Sequence, residues 1–405
     1  MRIINIGLLG LGTVGSGVVQ LLEKQAAKIK LTTNVHFNLK SVAVAHLNKK
    51  RDVTLPSDTK LTNQINDVVN DPEIQIVIET MGTIHLAKKA IIRAIRNRKS
   101  VITANKDLLA IEGPTLAKLA SESNVDFFYE ASVAGGIPIL RVLSNSLITD
   151  DIQQVTGIIN GTSNYILSSM ADNHVSYYDA LQVAQAKGYA ELNPTNDIKG
   201  IDSANKLSIL SQFAFGQGIS PNDLKNNGID NITTDQLRSA SFFGYTIKLL
   251  AVALRKNDRL YSFVGPTLVS NANILSQIKG VQNAVLIESS ALGTSLYTGP
   301  GAGGHPTANS ILSDLTTIAK NIINSNCGMA FNRYTRKLKV LKLNNEKRSY
   351  MLTKVPLNFD ICKSILQSKR KIDNSLSVIT KPIGQKELNT LINEAGTKIR
   401  YLPVY

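Results

Sequence analysis

An apolar run, Ile3 to Leu9, passes without a spacer into Gly10-Leu11-Gly12-Thr13-Val14-Gly15 and then into a helical pattern carrying Val18, Val19, Leu21 and Leu22. Strand, glycine turn and helix in that order leave few folds open. Gly10 makes the tight turn, Gly12 lets a pyrophosphate approach the backbone, and Gly15 lets the helix pack on the strand. The same hexapeptide in another setting is a structural turn. Here its order predicts a dinucleotide site on a parallel α/β sheet.

A second strand, Leu39 to Ala45, ends at His46, with Lys49, Lys50 and Arg51 close behind. An NAD-selective site often places an acid there to hold the adenine ribose. Its absence removes repulsion against a 2′-phosphate and the basic run can pair with one, so NADPH is expected, with NADH possible. Strands at Ile74 to Ile78, Ser100 to Thr103 and Phe127 to Tyr129, with a helix over His85 to Asn97, repeat the βαβ rhythm of a doubly wound parallel sheet of Rossmann type. Ligands bind at the carboxyl ends of such strands. Two of these ends deliver Glu79-Thr80-Met81-Gly82 and Thr103-Ala104-Asn105-Lys106.

The chain is 405 residues long and 43% apolar, enough for two or three packed domains. Its net charge of +15 is scattered apart from the clusters Lys49 to Arg51 and Lys369 to Lys371, and no nucleic-acid motif accompanies it. An anionic coenzyme accounts for the charge better than nucleic acid does. The opening apolar run is too short to span a bilayer and lacks a cleavage site, so a cytoplasmic protein with no membrane partner is expected. Cys327 and Cys362 lie far apart with no metal-ligand spacing, and no disulfide is expected.

The stretch Gly188 to Lys206, GYAELNPTNDIKGIDSANK, concentrates acids and lysines where the chain turns into a helix. Asn193, Pro194 and Gly200 leave Glu191 and Asp197 on loop, while Asp202 and Lys206 sit one helical turn apart on a shared face. An enzyme that reduces an amino-acid aldehyde needs carboxylates for the α-ammonium and a cation beside the oxygen that gains charge. The spacing alone also fits a solvated surface pair. Upstream, Glu130-Ala131-Ser132-Val133-Ala134-Gly135-Gly136-Ile137-Pro138 follows a strand; it suits either a carbonyl-and-carboxylate site for a hard monovalent cation or a tight crossover packed on another backbone. Gly157 to Tyr165 reads as a strand-to-helix junction with capping residues, and helix Tyr178 to Lys187 follows. The glycine turn Gly299 to Gly304 precedes a helix from Pro306 to Ile323. After a polar connector, Ser325 to Lys347, the tail reads strand, helix (Phe359 to Gln367), strand, helix (Gln385 to Glu394), strand.

Taken together, GLGTVG, TANK at Thr103 to Lys106, YEASVAGGIPIL at Tyr129 to Leu140, NGTSNYIL at Asn160 to Leu167, the central stretch through Leu210, and GPGAGG at Gly299 to Gly304 resemble homoserine dehydrogenase. The match runs in order from about residue 3 to about residue 320. It implies reversible NAD(P)H-dependent reduction of L-aspartate 4-semialdehyde to L-homoserine, on the route to threonine and methionine. Position by position it implies Lys206 as proton donor, Lys106 as a second active-site lysine, Glu191 and Asp202 as substrate ligands and Asp197 in the same pocket. It also implies coenzyme contacts at Gly10, Gly12, Thr13, Val14, Gly15, Thr80, Lys106, Gly188 and Gly301. A monovalent cation, sodium, would sit at Glu130, Val133, Gly135 and Ile137, mostly through carbonyls.

The resemblance implies a Rossmann domain over 1–130, completed by 300–323, then a mixed α+β substrate and dimerisation domain over 131–299. A linker over 324–347 and a degenerate ACT-like α/β module over 348–405 complete the expectation. A homodimer or homotetramer of the monofunctional form, without a fused aspartate kinase, is expected. Asn193 stands where the family usually has an aspartate, Thr83 replaces a usual glycine, and the tail lacks the D-x-P-G turn of effector-binding ACT modules. Two rival readings remain at this point: a coenzyme-binding relative that has lost catalysis, which would be expected to lose Lys206 or Asp202, and another amino-acid semialdehyde oxidoreductase. The phosphorylating kind needs an activated thiolate, for which neither cysteine has an evident setting.

Overall fold

The computed structural model describes every residue except 225, 343–345 and 396–398. Its contacts divide the chain into two units, Met1–Thr149 with Ser208–Ser220 and Gly299–Arg336, and Asp150–Leu207 with Pro221–Thr298 and Lys337–Tyr405.

In the first unit the strands are β1 (Arg2–Leu9), β2 (Val35–Ala43), β3 (Lys60–Thr62), β4 (Ile76–Glu79), β5 (Ser100–Thr103) and β6 (Phe127–Phe128). They form one parallel sheet in the order β3-β2-β1-β4-β5-β6. Strands covered on both faces must be apolar throughout, and β4 and β5 are buried along their whole length. The strand order reverses between β1 and β4, where open sheets place ligands. Register brings Leu9 opposite Glu79 and Glu79 opposite Thr103, so Gly10, Thr80 and Ala104 leave the sheet side by side. The helix Gly304–Ile323 returns beside Thr13–Thr33 so closely that a Cβ on Gly17 would stand 2.6 Å from the Gly304 carbonyl oxygen.

The second unit is built on β7 (Ile152–Ile158), β8 (Tyr245–Lys256), β9 (Arg259–Ser270), β10 (Gln282–Ser289), β11 (Gly293–Pro300) and β12 (Lys339–Lys342), ordered β11-β10-β7-β8-β9-β12. The β10–β7, β7–β8 and β8–β9 pairs are antiparallel, and β12 joins β9 in parallel, which makes the sheet mixed. Part of the expected connector is therefore an edge strand; residues 343–345 of it lie outside the described residues.

The tail forms a second, antiparallel sheet of β13 (Tyr350–Val355), β14 (Leu366–Ile372), β15 (Ser375–Thr380) and β16 (Arg400–Pro403), ordered β14-β15-β13-β16, with the helix Gln385–Ala395. The helix expected over Phe359 to Gln367 does not form. Leu366–Ile372 is instead the first arm of a hairpin, closed by the two-residue turn Asp373-Asn374 with Asp373 at φ 52°. Phe359, Ile361 and Ile365 still reach the tail's core with Tyr350, Leu352, Val378 and Leu388. Their apolar spacing reflects burial from a loop. Residues 396–398 of the tail are not described.

Candidate functional site

In the first unit the glycine turn has the geometry that its spacing predicts. Gly10 is at φ 97°, and a Cβ there would meet the Thr80 carbonyl oxygen at 2.8 Å; a Cβ on Gly15 would stand 2.2 Å from the Gly10 carbonyl oxygen. Gly12 is different: nothing lies within 4 Å of a Cβ there, so its surface is open. Thr13 opens the helix Thr13–Thr33, whose first turn has no acid and no side-chain cap. Its free amides are suited to an anion. A cavity of about 470 Å³ runs from Gly12, Thr13 and Ser16 to Lys49, Lys50 and Arg51.

Arg51 spends its guanidinium on its own loop, donating to the His46 carbonyl at 2.6 Å and the Lys49 carbonyl at 2.7 Å. At the neighbouring strand ends, buried Glu79 accepts from the Thr103 hydroxyl at 2.6 Å and the Met81 amide at 2.7 Å, and burial pushes its carboxyl up. The Thr80 hydroxyl donates to the Gly10 carbonyl at 3.0 Å. Asn105 caps the helix Lys106–Glu122 by accepting from the Leu108 amide at 3.1 Å, which places Lys106 in the first turn, 3.9 Å from the Asp107 carboxylate.

In the second unit Asp197, Asp202 and Lys206 of the central stretch converge at the end of β7. Lys206 and Asp202, 9% and 5% exposed, form an ion pair of 2.8 Å. This is not a solvated surface pair. The Lys206 ammonium also donates to the Ile159 carbonyl at 2.7 Å. The amide of Asn160 donates to Asp197 at 2.7 Å and to Asp202 at 2.8 Å, joining the two acids. Asp197 lies on a short helical turn, Thr195–Ile198, rather than on open loop, because Asn193 accepts from the Thr195 amide and hydroxyl and starts the turn. Glu191 stands apart and exposed; its carbonyl, not its carboxylate, accepts from Gln185 at 3.1 Å. Gly188, at φ 73°, has no atom within 4 Å of a Cβ.

From sequence alone Asn160 reads only as a helix-capping residue, and nothing local marks the Ile159 carbonyl as a partner of Lys206. A polar residue at a strand's carboxyl end was the available signal.

The loop after Glu130 lies in the first unit. Ala134 and Gly135 are left-handed, at φ 55° and 53°, and a Cβ on Gly135 would stand 2.5 Å from the Gly301 carbonyl oxygen, so the loop is a close backbone crossover. Its carbonyls are partly engaged: Gly135 accepts from the Ser310 hydroxyl at 2.7 Å and Ile137 from the Ile139 amide at 2.8 Å. Each keeps a second lone pair. The Glu130 carboxylate accepts the Leu140 and Arg141 amides at 2.9 and 2.8 Å, and its backbone carbonyl accepts the Val133 amide at 3.5 Å.

Neither cysteine forms a disulfide. Burial pushes the Cys327 thiol up to about 11; the Ser364 hydroxyl and amide hold the exposed Cys362 thiol below its usual value, so Cys362 has an activating contact that its sequence setting does not reveal.

A family model described as "Homoserine dehydrogenase, NAD binding domain" matches residues 10–130, and one described as "Homoserine dehydrogenase" matches residues 138–316. The homoserine dehydrogenase of Bacillus subtilis is 41% identical over 322 residues, 80% of this chain and 74% of that protein. The chain belongs to the homoserine dehydrogenase family. Its activity is that of an NAD(P)-dependent homoserine dehydrogenase, an oxidoreductase of amino-acid biosynthesis, with an NAD(P)-binding domain at its amino end. A solved homoserine dehydrogenase from Thiobacillus denitrificans matches all of this chain and 98% of that one, at a TM-score of 0.92 and 33% identity. A hyperthermophilic archaeal homoserine dehydrogenase mutant, solved in complex with NADPH, matches 78% of this chain and 98% of that one, at a TM-score of 0.67 and 25% identity. Among the described residues no helix is long and apolar enough to cross a membrane.

Proposed function

We propose that the chain reduces L-aspartate 4-semialdehyde to L-homoserine reversibly, with NADPH as the preferred coenzyme and Lys206 as the proton donor. The observation that carries this reading is the donor count at Lys206. Of three ammonium hydrogens, one goes to the Ile159 carbonyl and one to Asp202, leaving a third for the substrate oxygen. Reduced nicotinamide, when bound, supplies the hydride. As the carbonyl oxygen gains charge, the Lys206 ammonium stabilises and then protonates it. Asp202 orients that ammonium, and with Glu191 and Asp197 it binds the substrate's α-ammonium. Lys106 acts as a second cation near the coenzyme and the reacting carbonyl.

The open Gly12 surface and the uncapped helix turn support Gly10, Gly12, Thr13, Val14 and Gly15 as the pyrophosphate cradle; resemblance to the family adds Thr80, Gly188 and Gly301 as coenzyme contacts, Gly188 on the nicotinamide side. The NADPH complex of the archaeal relative, and Lys49 and Lys50 lining the adjoining cavity, support NADPH. Uncharged oxygens suit a monovalent cation such as sodium at the carbonyls of Glu130, Val133, Gly135 and Ile137. Residues 1–130 with 300–323 are assigned to the coenzyme and 131–299 to substrate and dimerisation. Resemblance to the family supports a cytoplasmic homodimer or homotetramer.

The test is Lys206→Ala, assayed with aspartate semialdehyde and NADPH. The maximal rate should fall by roughly 10²–10⁴ with circular dichroism unchanged. A folded variant keeping about a tenth or more of the rate would overturn the assignment.

A further inference from the structure

We propose that Asn160 is a positioning residue for the reaction: its one amide sets the separation of Asp197 and Asp202 and, through Asp202, the placement of Lys206. The proposal rests on Lys206 being the proton donor. Asn160 is 6% exposed at the junction between β7 and the helix Gly161–Asn173. Its oxygen accepts the Ser163 amide at 2.8 Å, and its nitrogen faces two carboxylates at 2.7 and 2.8 Å. Only one orientation of the amide satisfies all three partners, since a flipped amide would point its oxygen at both carboxylates. Both N–H groups are thereby committed.

The second carboxylate oxygen of Asp202 takes Asn160 on one side and Lys206 on the other, while the preceding carbonyl, Ile159, takes Lys206 directly. Two adjacent residues at one strand end therefore hold the ammonium at two points. The helix that carries Asp202 and Lys206 contributes the other end of each contact. Asp197 is tied to the same junction a second time, by the Ser163 hydroxyl donating to its carbonyl at 2.8 Å.

Two carboxylates held beside one another in a poorly hydrated site repel unless donors stand between them. The Asn160 amide is such a donor. Without it Asp202 loses one of the ties that set its position, and a displacement of about 1 Å in a reacting group costs on the order of 10²-fold in rate. A helix cap alone asks much less of the position. Serine and aspartate cap as well as asparagine does. Serine offers no amide to bridge the acids, and aspartate would set a third carboxylate against them.

Asn160→Ser and Asn160→Asp should be compared with Lys206→Ala in the full chain. The readouts are kcat, KM for aspartate semialdehyde, NADPH affinity by fluorescence, and melting temperature. Asn160→Ser should lower kcat by about 10- to 100-fold and raise KM less, with NADPH affinity close to that of the parent and a modest fall in melting temperature from the two lost hydrogen bonds. Asn160→Asp, nearly isosteric and an equally good cap, should lose more than Asn160→Ser. Retention of about half or more of kcat in both would overturn the proposal, because a cap is then all the position supplies. It would also be overturned if activity fell only together with melting temperature and NADPH affinity. A Lys206→Ala variant that stayed active would instead sink the proton-donor assignment, whatever the Asn160 variants do.

Discussion

The backbone amide of Glu130 donates to the Asp314 carboxylate at 2.9 Å, joining two acids that are 184 positions apart. Both are fully buried, and a single guanidinium serves them: Arg141 ion-pairs with Asp314 and lies 3.9 Å from Glu130. Burial, reinforced by Asp314, pushes the Glu130 carboxyl up to about 8, and burial pushes Asp314 up to about 7. The folded chain therefore holds protons that the unfolded chain has released. This contribution to stability is full below the ordinary carboxylate range and is lost as pH rises through about 7 to 8. Melting temperature should fall as pH rises from the ordinary carboxylate range to about 8, and Asp314→Asn should flatten the fall. Parallel pH profiles for the two proteins would refute the coupling.

Gly12 and Gly15 make opposite predictions from the same turn. Adding a Cβ at Gly15 drives it into the Gly10 carbonyl at 2.2 Å, so Gly15→Ala should lower melting temperature and coenzyme affinity together. Adding one at Gly12 meets nothing within 4 Å. Gly12→Ala should therefore fold like the parent and lose NADPH affinity by about tenfold or more, since the methyl occupies the pyrophosphate's approach. Equal loss of melting temperature in both would contradict the distinction.

Much of this was legible in the chain because strands buried on both faces and glycine-punctuated turns leave local marks. The parallel sheet, the glycine turn and the Asp202–Lys206 face are all local patterns. What was not legible depends on partners far away in sequence. Asp314 lies on the buried face of an amphipathic helix and acquires meaning only beside Glu130. Asn160 reads locally as a cap; its other two partners are 37 and 42 positions on. The missing tail helix is a different failure. Ile361, Ile365 and Leu366 suit one helical face, but Asp373-Asn374 between Ile372 and Ser375 carried a hairpin signal that outweighs it.

Coenzyme choice should divide the basic run into two kinds of residue. Lys49 and Lys50 are exposed and line the cavity beside Gly12, whereas Arg51 pins the carbonyls of its own loop. Replacing both lysines with alanine should raise the KM for NADPH by about tenfold and leave NADH nearly unchanged. The NADPH advantage of the parent should shrink with added salt. Arg51→Ala should weaken both coenzymes, because the loop loses its brace. Initial rates with each coenzyme at low and high salt decide the matter, and equal KM values in the parent at low salt would contradict an NADPH preference.

The tail should stabilise the second unit without sensing threonine. Its strand order is that of an ACT-type module, but a loop, Pro356 to Ile365, stands where the first helix would lie, and the effector-framing turn is absent. The module is fastened to the unit itself. The Ser377 and Ser239 hydroxyls meet at 2.9 Å in a buried contact, Arg400 donates to the Asn231 carbonyl at 2.7 Å, and the Tyr405 hydroxyl meets Gln154 and Thr156 at 2.9 and 3.0 Å. The edge strand β14 carries Lys369, Arg370 and Lys371, which discourages pairing with a second copy. A ligand shifts an equilibrium only by binding two states differently, so a module without a site shifts nothing. L-Threonine should therefore inhibit weakly and in competition with homoserine, which it resembles. Removing Val404 and Tyr405 should lower the melting temperature and leave that inhibition as it was. Cooperative, non-competitive inhibition at millimolar threonine, relieved by substitutions in the loop Pro356 to Ile365, would show that the tail is a sensor after all.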